Sequence, residues 1–535
     1  MAMKKLLSVV FTAAMAASLV GCGSSSAAAA PAETSAASAA SSAATTTSTG
    51  ADTMNIELTT APVGMHPLKT NDAPSTYVNG QIFETLYKRT LDGTSYEPLL
   101  AADMPTFSDD GLTATIPLRE GVKFQDGTPF TSAAVAYMID SLKDENYGSQ
   151  RPSIVSSIES YETPDDNTIV LHLAYNDGVL VAKLAHTNGA IVNPDLDKSQ
   201  DLLVDPTGAG TGPYCFAGSV AGSTYDLTAN PDYWGGEPAI KNLHFDVIGD
   251  EATAIARLQT GEADFYPTVS VDSFDAASAI SGYTAVSQPS SAVGYFALRS
   301  HAENAANPLM AEPDFRKAIL EAIDTESFVT SVMGSQASFI KAVVPPSCIG
   351  YTSAMDDAYI GYNKEDAKSI IDSNGWTGQT ITMLVSTREL QQNIAAYVQA
   401  QLAEVGITVN IVSEEWATFL SDAKNDGAFD ISVLTWSNVT GDGQQMLEPN
   451  FSTTNGARIK YANADFDTAV ENSAETTVLE DRQKYMLEAV QKIQGDAVAS
   501  PIYCQNTLFC YNSTKFDNVV IGMDGQFDAR NFKLK

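Results

Sequence analysis

A mixed α/β architecture with more than one domain is predicted by three observations. The chain has 535 residues, and a single hydrophobic core stops growing near about 250–300 residues. Its composition, 44% apolar and 18% charged, is that of a packed globular body. Third, residues 381–412 read as strand, helix, strand. Residues 381–385 form a short β-rich run; Ile394, Val398, Leu402 and Val405 recur at the spacing of a buried helical stripe; Gly406 stops that helix, and 407–412 regain β character. Two strands joined through a helix form a parallel pair with a right-handed crossover.

The first residues belong to targeting rather than fold. Lys4 and Lys5 precede an apolar run at 6–20, shorter than the roughly 20 residues a spanning helix needs. The run ends in Leu19-Val20-Gly21-Cys22, which resembles a bacterial lipobox and implies a diacylglycerol-modified Cys22 at the mature N-terminus. Residues 23–52 are almost wholly Ser, Ala, Thr, Gly and Pro, too poor in apolar surface to offset chain entropy, so a disordered tether is expected. No later stretch is apolar enough to span a membrane, so any permease is a separate chain.

The body is expected to open with a strand at 56–59 and a helix at 78–87 that packs through Ile82, Phe83 and Leu86. Alternation predicts strands at 113–118 and 168–173, with a helix at 132–142 between them and Thr131 as its N-cap. The loop cluster at 208–214 is followed by strands at 225–228 and 243–248, then by a helix at 252–259 closed by Gly261. A second region begins near Val293, with helices at 315–323 and 365–373.

Charge narrows the function classes. Acidic residues outnumber basic ones 65 to 30, giving a net charge of −35, which argues against nucleic acid and against anionic lipid held by a basic patch. Catalytic signatures do not assemble. Gly208, Gly210 and Gly212 suggest a phosphate cradle, but no Gly-Lys-Ser/Thr follows, and Pro213 blocks a run into a helix. Ser338-Phe-Ile-Lys341 matches Ser-x-x-Lys without its Ser-Asp-Asn and Lys-Thr-Gly companions. His66, His172, His186, His244 and His301 never pair at helical metal-ligand spacing. No enzyme, metal or cofactor is expected. Cys215, Cys348, Cys504 and Cys510 allow three full pairings. Cys504 and Cys510 on one extended strand would lie ~20 Å apart, beyond disulfide reach.

Several motifs, in order, carry a resemblance: Phe83-Glu-Thr-Leu86, Glu97-Pro-Leu-Leu-Ala101, Asp109-Asp-Gly111 and the run from Leu118 through Phe124-Gln-Asp-Gly127 to Pro129. Then come Gly210-Thr-Gly-Pro-Tyr214, Asn230-Pro-Asp-Tyr-Trp-Gly-Gly236, Leu258-Gln-Thr-Gly-Glu-Ala-Asp264, Phe315-Arg-Lys-Ala318, Ala322-Ile-Asp324 and Pro345-Pro346. Over nearly all of 54–535 the chain resembles the family 5 extracellular solute-binding proteins, the dipeptide-, oligopeptide- and nickel-complex-binding components of ABC importers. The resemblance implies a two-lobed, periplasmic-binding-protein-like α/β fold with a hinge and an extra small domain in the first lobe. The expected layout is signal peptide 1–21, lipidated Cys22 and tether to 53, and first lobe 54–90 and 208–288. The small domain is at 91–207, the second lobe at 289–504, and 505–535 return to the first lobe. It implies a monomeric, membrane-anchored binder that encloses a small-molecule or peptide ligand and works with ABC permease and ATPase chains.

The resemblance also supplies site candidates. The family's cleft is lined near a Trp at the end of a second-lobe strand, which implies Trp436. Three residues on, peptide binders carry an aspartate for the ligand ammonium; here that position is Val439, and the nearest acid is Asp442. Either Asp442 takes that role or the ligand is not a free peptide, an oligosaccharide or other solute being the alternative; a sensor lipoprotein on the same fold is a further one. Arg299 stands where the family usually has Asn, and its guanidinium suits a carboxylate or phosphate. Trp416, Tyr503, Gln505 and Tyr214 complete the expected wall.

Overall fold

The computed structural model describes residue 50 and residues 52–535 apart from Val439. Cys22, the signal segment and nearly all of the tether lie outside the described residues. Among the described residues no helix is long and apolar enough to cross a membrane.

One 11-stranded sheet runs through both lobes. Its centre is a pair of long antiparallel strands, Tyr283–Leu298 and Ala499–Asn512, which cross from one lobe to the other. At one end they continue the first lobe: Phe265–Tyr266 joins Ala499–Asn512, then the parallel Thr53–Leu58 and Asn242–Val247, and then the antiparallel Thr224–Ala229 and Tyr214–Val220. At the other end Ile431–Ser437 pairs with Tyr283–Leu298, followed by Thr380–Ser386 and Thr408–Glu414. Between the halves the central ladder slips, Pro289 facing Asn506 but Val293 facing Cys504. A bulge unpairs residues and lets a strand bend, so Ser290–Ser291–Ala292 is the natural hinge. The boundaries 288/289 and 504/505 therefore fall inside continuous strands rather than between elements.

A separate four-stranded antiparallel sheet occupies 106–173, with the helix Ser132–Lys143 beside it. Its inward residues Ile116, Ile169 and Leu171 join the first-lobe core. In the second lobe, apolar layers cover both sheet faces, as the buried parallel strands require. The strand–helix–strand reading is met by Thr380–Ser386, Glu389–Glu404 and Thr408–Glu414, with Thr380 in register with Thr408. Gly261 ends Glu251–Thr260 in the left-handed conformation, φ 77°.

Two expectations need correction. The first-lobe helix is Ala73–Ile82, not 78–87. Asp72 caps it by accepting from the Ser75 amide, and Pro74 fits its first turn. Thr131 precedes the Ser132–Lys143 helix in extended geometry, but its side chain makes no capping bond. Cys504 and Cys510 share one strand, and all four cysteines of the described residues are free thiols.

Candidate functional site

Three of the motifs that run in order along the sequence, those at 83–86, 210–214 and 230–236, meet in one hydrogen-bonded knot. Glu84, buried beneath the first lobe, accepts hydrogen bonds from Tyr233 Oη (2.6 Å), Trp234 Nε1 (2.9 Å) and Thr211 Oγ1 (2.9 Å). Burial raises its pKa above the usual carboxylate value, and the Tyr233 and Trp234 bonds oppose that. Arg119 lies 4.3 Å over the Trp234 ring. Gly210 and Gly212 press against the backbone of Ile82, where any Cβ would collide. The glycine cluster is therefore a packing device, not a phosphate cradle. Ser338 lies on the short strand Ala337–Phe339, the eleventh of the sheet, which pairs with Ala499–Asn512, and its Oγ donates to Asn506 Oδ1 at 3.0 Å.

The cleft lies where the second-lobe strands end. Thr380–Ser386, Thr408–Glu414 and Ile431–Ser437 are parallel, so their carboxyl ends share one edge beside the hinge, the place where ligands settle in open α/β sheets. Trp436 closes the last of them, opposite Val293. A cavity of about 800 Å³ opens there between the two lobes. Its first-lobe wall is Tyr175–Lys183, and its second-lobe wall runs from Trp436 through Asp442, Glu448 and Glu471 to Glu475. The Trp436 Nε1–H is buried in this wall with no hydrogen-bond partner among the described residues. An unpaired buried donor costs about 1–3 kcal/mol, which an acceptor on a ligand would remove.

Asp442 lines the same cavity but is already matched. Its two oxygens accept from Arg482 Nη1 (2.8 Å) and Nη2 (2.7 Å), and Oδ1 also takes the Gln444 amide (3.0 Å). With Asp442 only 1% and Arg482 3% exposed, the fork neutralises Asp442 from within the lobe. Asp442 is thus a poor free acceptor for a ligand ammonium. The loop around it is tied by Asn438, whose amide donates to Asp442 O (2.7 Å) and whose Oδ1 accepts from the Gly441 amide (2.9 Å). Gly441 has φ 72°, and a Cβ there would strike the Arg89 guanidinium. Arg89 reaches across from the first lobe to the Ser347 and Gly441 carbonyls and to Ser291 Oγ (3.1 Å). Tyr96 Oη donates to Thr440 O (3.1 Å), and the Gly178 amide to Ala474 O (2.5 Å). These bonds join the lobes on either side of the cavity.

Other expected wall residues lie elsewhere. Arg299 is 0% exposed and sits at the far end of the sheet, beyond the Leu298–Ile431 pair. Its guanidinium caps the Ala423 (2.9 Å) and Asn425 (3.1 Å) carbonyls and lies 4.3 Å over Phe429. Burial pushes its pKa down to about 10. Its Nη2 supports a turn while Nε and Nη1 are buried without a partner among the described residues, and it lies outside the cavity wall. Tyr214 is a core residue whose hydroxyl donates to Ile240 O (3.2 Å). Tyr503 is buried under Gly294, where a Cβ would meet its ring. Gln505 is exposed, in register with Ala337, and outside the cavity wall. Trp416 stands at the strand edge but is engaged by Arg388 (3.6 Å to the ring centre) and stacked on Phe419; it too is outside that wall. Val439 and Cys22 fall outside the described residues.

The residues that do build the wall, Tyr175, Lys183, Glu448 and Glu471, carry no motif. The only sequence signal near them is the glycine at 178, whose close approach to the Thr476 carbonyl leaves no room for a Cβ.

Comparison with known proteins adds a frame to this geometry. The family model of bacterial extracellular solute-binding proteins, family 5 Middle, matches residues 95–458. The oligopeptide-binding protein AppA of Bacillus subtilis is 25% identical over 474 residues, 83% of this chain and 84% of its own length. The glutathione-binding protein GsiB of Pectobacterium atrosepticum is 25% identical over 445 residues, covering 81% and 85%. Among solved structures, HbpA2 from Haemophilus parasuis superposes with a TM-score of 0.81 at 22% identity, over 90% of this chain and 100% of that one.

Proposed function

We propose, starting from the fact that the chain belongs to the bacterial extracellular solute-binding proteins of family 5, that it captures a small peptide-like solute between its lobes. The observation that carries this reading is the unpartnered Nε1–H of Trp436 on the wall of the interlobe cavity. A peptide offers carbonyl acceptors for such a donor. The names of the two relatives, an oligopeptide binder and a glutathione binder, point to the same ligand class. The hinge bulge at 290–292 supplies the bend for lobe closure.

In this reading the protein is a non-enzymatic monomer. It is held on the extracytoplasmic face of the membrane by the lipid on Cys22, with 23–52 as its leash. It presents its ligand to a separate ABC permease and ATPase, and the leash keeps it at high local concentration beside them. A non-peptide solute, such as an oligosaccharide, is the second reading, favoured by one observation: Asp442 is already neutralised by Arg482. Thermal shifts against tetrapeptide and oligosaccharide mixtures, with mass spectrometry of any solute that co-purifies, separate the two. A shift with peptides supports the first reading. A shift with sugars alone transfers the assignment to the second, and flat profiles with an empty cleft overturn capture altogether.

A further inference from the structure

Beyond the Trp436 cavity, across Thr440, which lines both, lies a second cavity of about 250 Å³ that, unlike the first, has arginines in its wall. The larger cavity is acidic: Glu448, Glu471 and Glu475 face it, and its one lysine, Lys183, is bonded to Asp177 at 2.6 Å. The smaller one is walled by Arg89, Arg151 and His186 beside Asp72 and Asp524, and Arg89 is already bonded to Ser291, Ser347 and Gly441. Arg151 Nε donates to Asn71 Oδ1 (3.1 Å). Among the described residues its two terminal nitrogens have no partner and it forms no ion pair, although the chain carries 65 acidic residues. Burial lowers its pKa somewhat, which marks a partly desolvated cation.

His186 is set up as a neutral donor. Its Nδ1 accepts the Asn188 amide at 3.1 Å, which places the proton of the neutral ring on Nε2. Burial, and secondarily the Arg151 charge, push its pKa down to about 4. The two carboxyl groups in the same wall do not satisfy Arg151. Asp72 is held by the Ser75 amide (3.0 Å) and hydroxyl (2.7 Å). Asp524 accepts the Gln526 amide (3.0 Å) and is raised in pKa by burial.

We infer that Arg151 and His186 form the subsite for the terminal carboxylate of the ligand, and that the ligand's ammonium end points toward Glu448 and Glu471. This rests on the peptide-capture reading and adds a direction to it. A guanidinium with free terminal nitrogens binds a carboxylate with two parallel bonds, and the imidazole Nε2–H adds a third donor. The test titrates the full chain with one tetrapeptide mixture made in free-acid and C-terminal amide forms, and with inorganic phosphate as competitor. The native protein is expected to prefer the free acid by about tenfold or more. Arg151→Gln should abolish the preference by weakening free-acid binding alone, with an unchanged unfolding midpoint as the folding control, and His186→Gln should reduce it partly. Equal binding of acid and amide, or an Arg151→Gln loss that falls equally on both, overturns the subsite while leaving peptide capture standing. Competition by phosphate as strong as that of the free-acid mixture reassigns the site to free anions. Binding of neither peptide form overturns capture and subsite together.

Discussion

Trp436 shows how one atom separates a packing role from a binding role. Its ring packs partly against the second-lobe core, yet its Nε1–H is buried and unmet. Trp436→Phe keeps most of the ring and removes the donor. The expected result is a peptide affinity about 5–20-fold weaker with an unfolding midpoint that does not fall, read by titration calorimetry beside urea denaturation. An unchanged affinity would show that the indole is only packing. Asp442 is the opposite case, a carboxylate in the cavity wall whose lone pairs are already occupied. Arg482→Met leaves that buried charge alone in the lobe and should destabilise the protein by about 3–5 kcal/mol, whereas a mere rim ion pair would cost under about 1 kcal/mol. Arg299 lies apart from both: its Nη2 caps two carbonyls, its Nε and Nη1 are buried without a partner among the described residues, and it does not line the cavity.

Individual elements carry their own tests. The strand Asn242–Val247 holds His244 between Asp226 (Nδ1 to Oδ1, 2.5 Å) and Asp246 (Nε2 to Oδ1, 3.2 Å). The Asp226 bond first, then the Asp246 bond, raise its pKa from 6.5 to about 9. Because the folded value is the higher one, this stabilisation is fully present below about pH 6.5 and is lost as pH rises through 9. With Asp226 half-exposed, it amounts to about 1–2 kcal/mol. Urea unfolding at pH 6 and pH 9.5 should show that difference in the native protein, and His244→Gln should remove most of it. The same scale shows what the sequence made legible. The strand–helix–strand at 380–414 could be read because four apolar residues at helical spacing end at a glycine. The helix at 73–82 was displaced because Phe83 and Leu86 continue its apolar spacing, while the true start depends on Asp72 reaching the Ser75 amide. Three of the family motifs mark the first-lobe fold, since they meet at Glu84. The cavity wall was illegible for a physical reason. Tyr175, Glu448 and Glu471 read as ordinary solvated residues, and they line one cavity where distant segments meet, as at the Gly178–Ala474 bond.

At the scale of the whole molecule, two continuous strands with a slip at 290–292 join the lobes, and Arg89, Tyr96 and Gly178 bridge them from the first lobe. The same few bonds therefore decide how readily the cleft opens. Gly441→Ala strains a φ of 72° and drives a methyl group into Arg89; it should loosen closure and weaken ligand binding. Small-angle X-ray scattering of the full chain, with and without a saturating tetrapeptide mixture, tests capture by closure most directly. The account predicts a smaller radius of gyration with peptide, and a reduced contraction in Gly441→Ala. A scattering profile that stays the same while calorimetry shows the site to be full would contradict it.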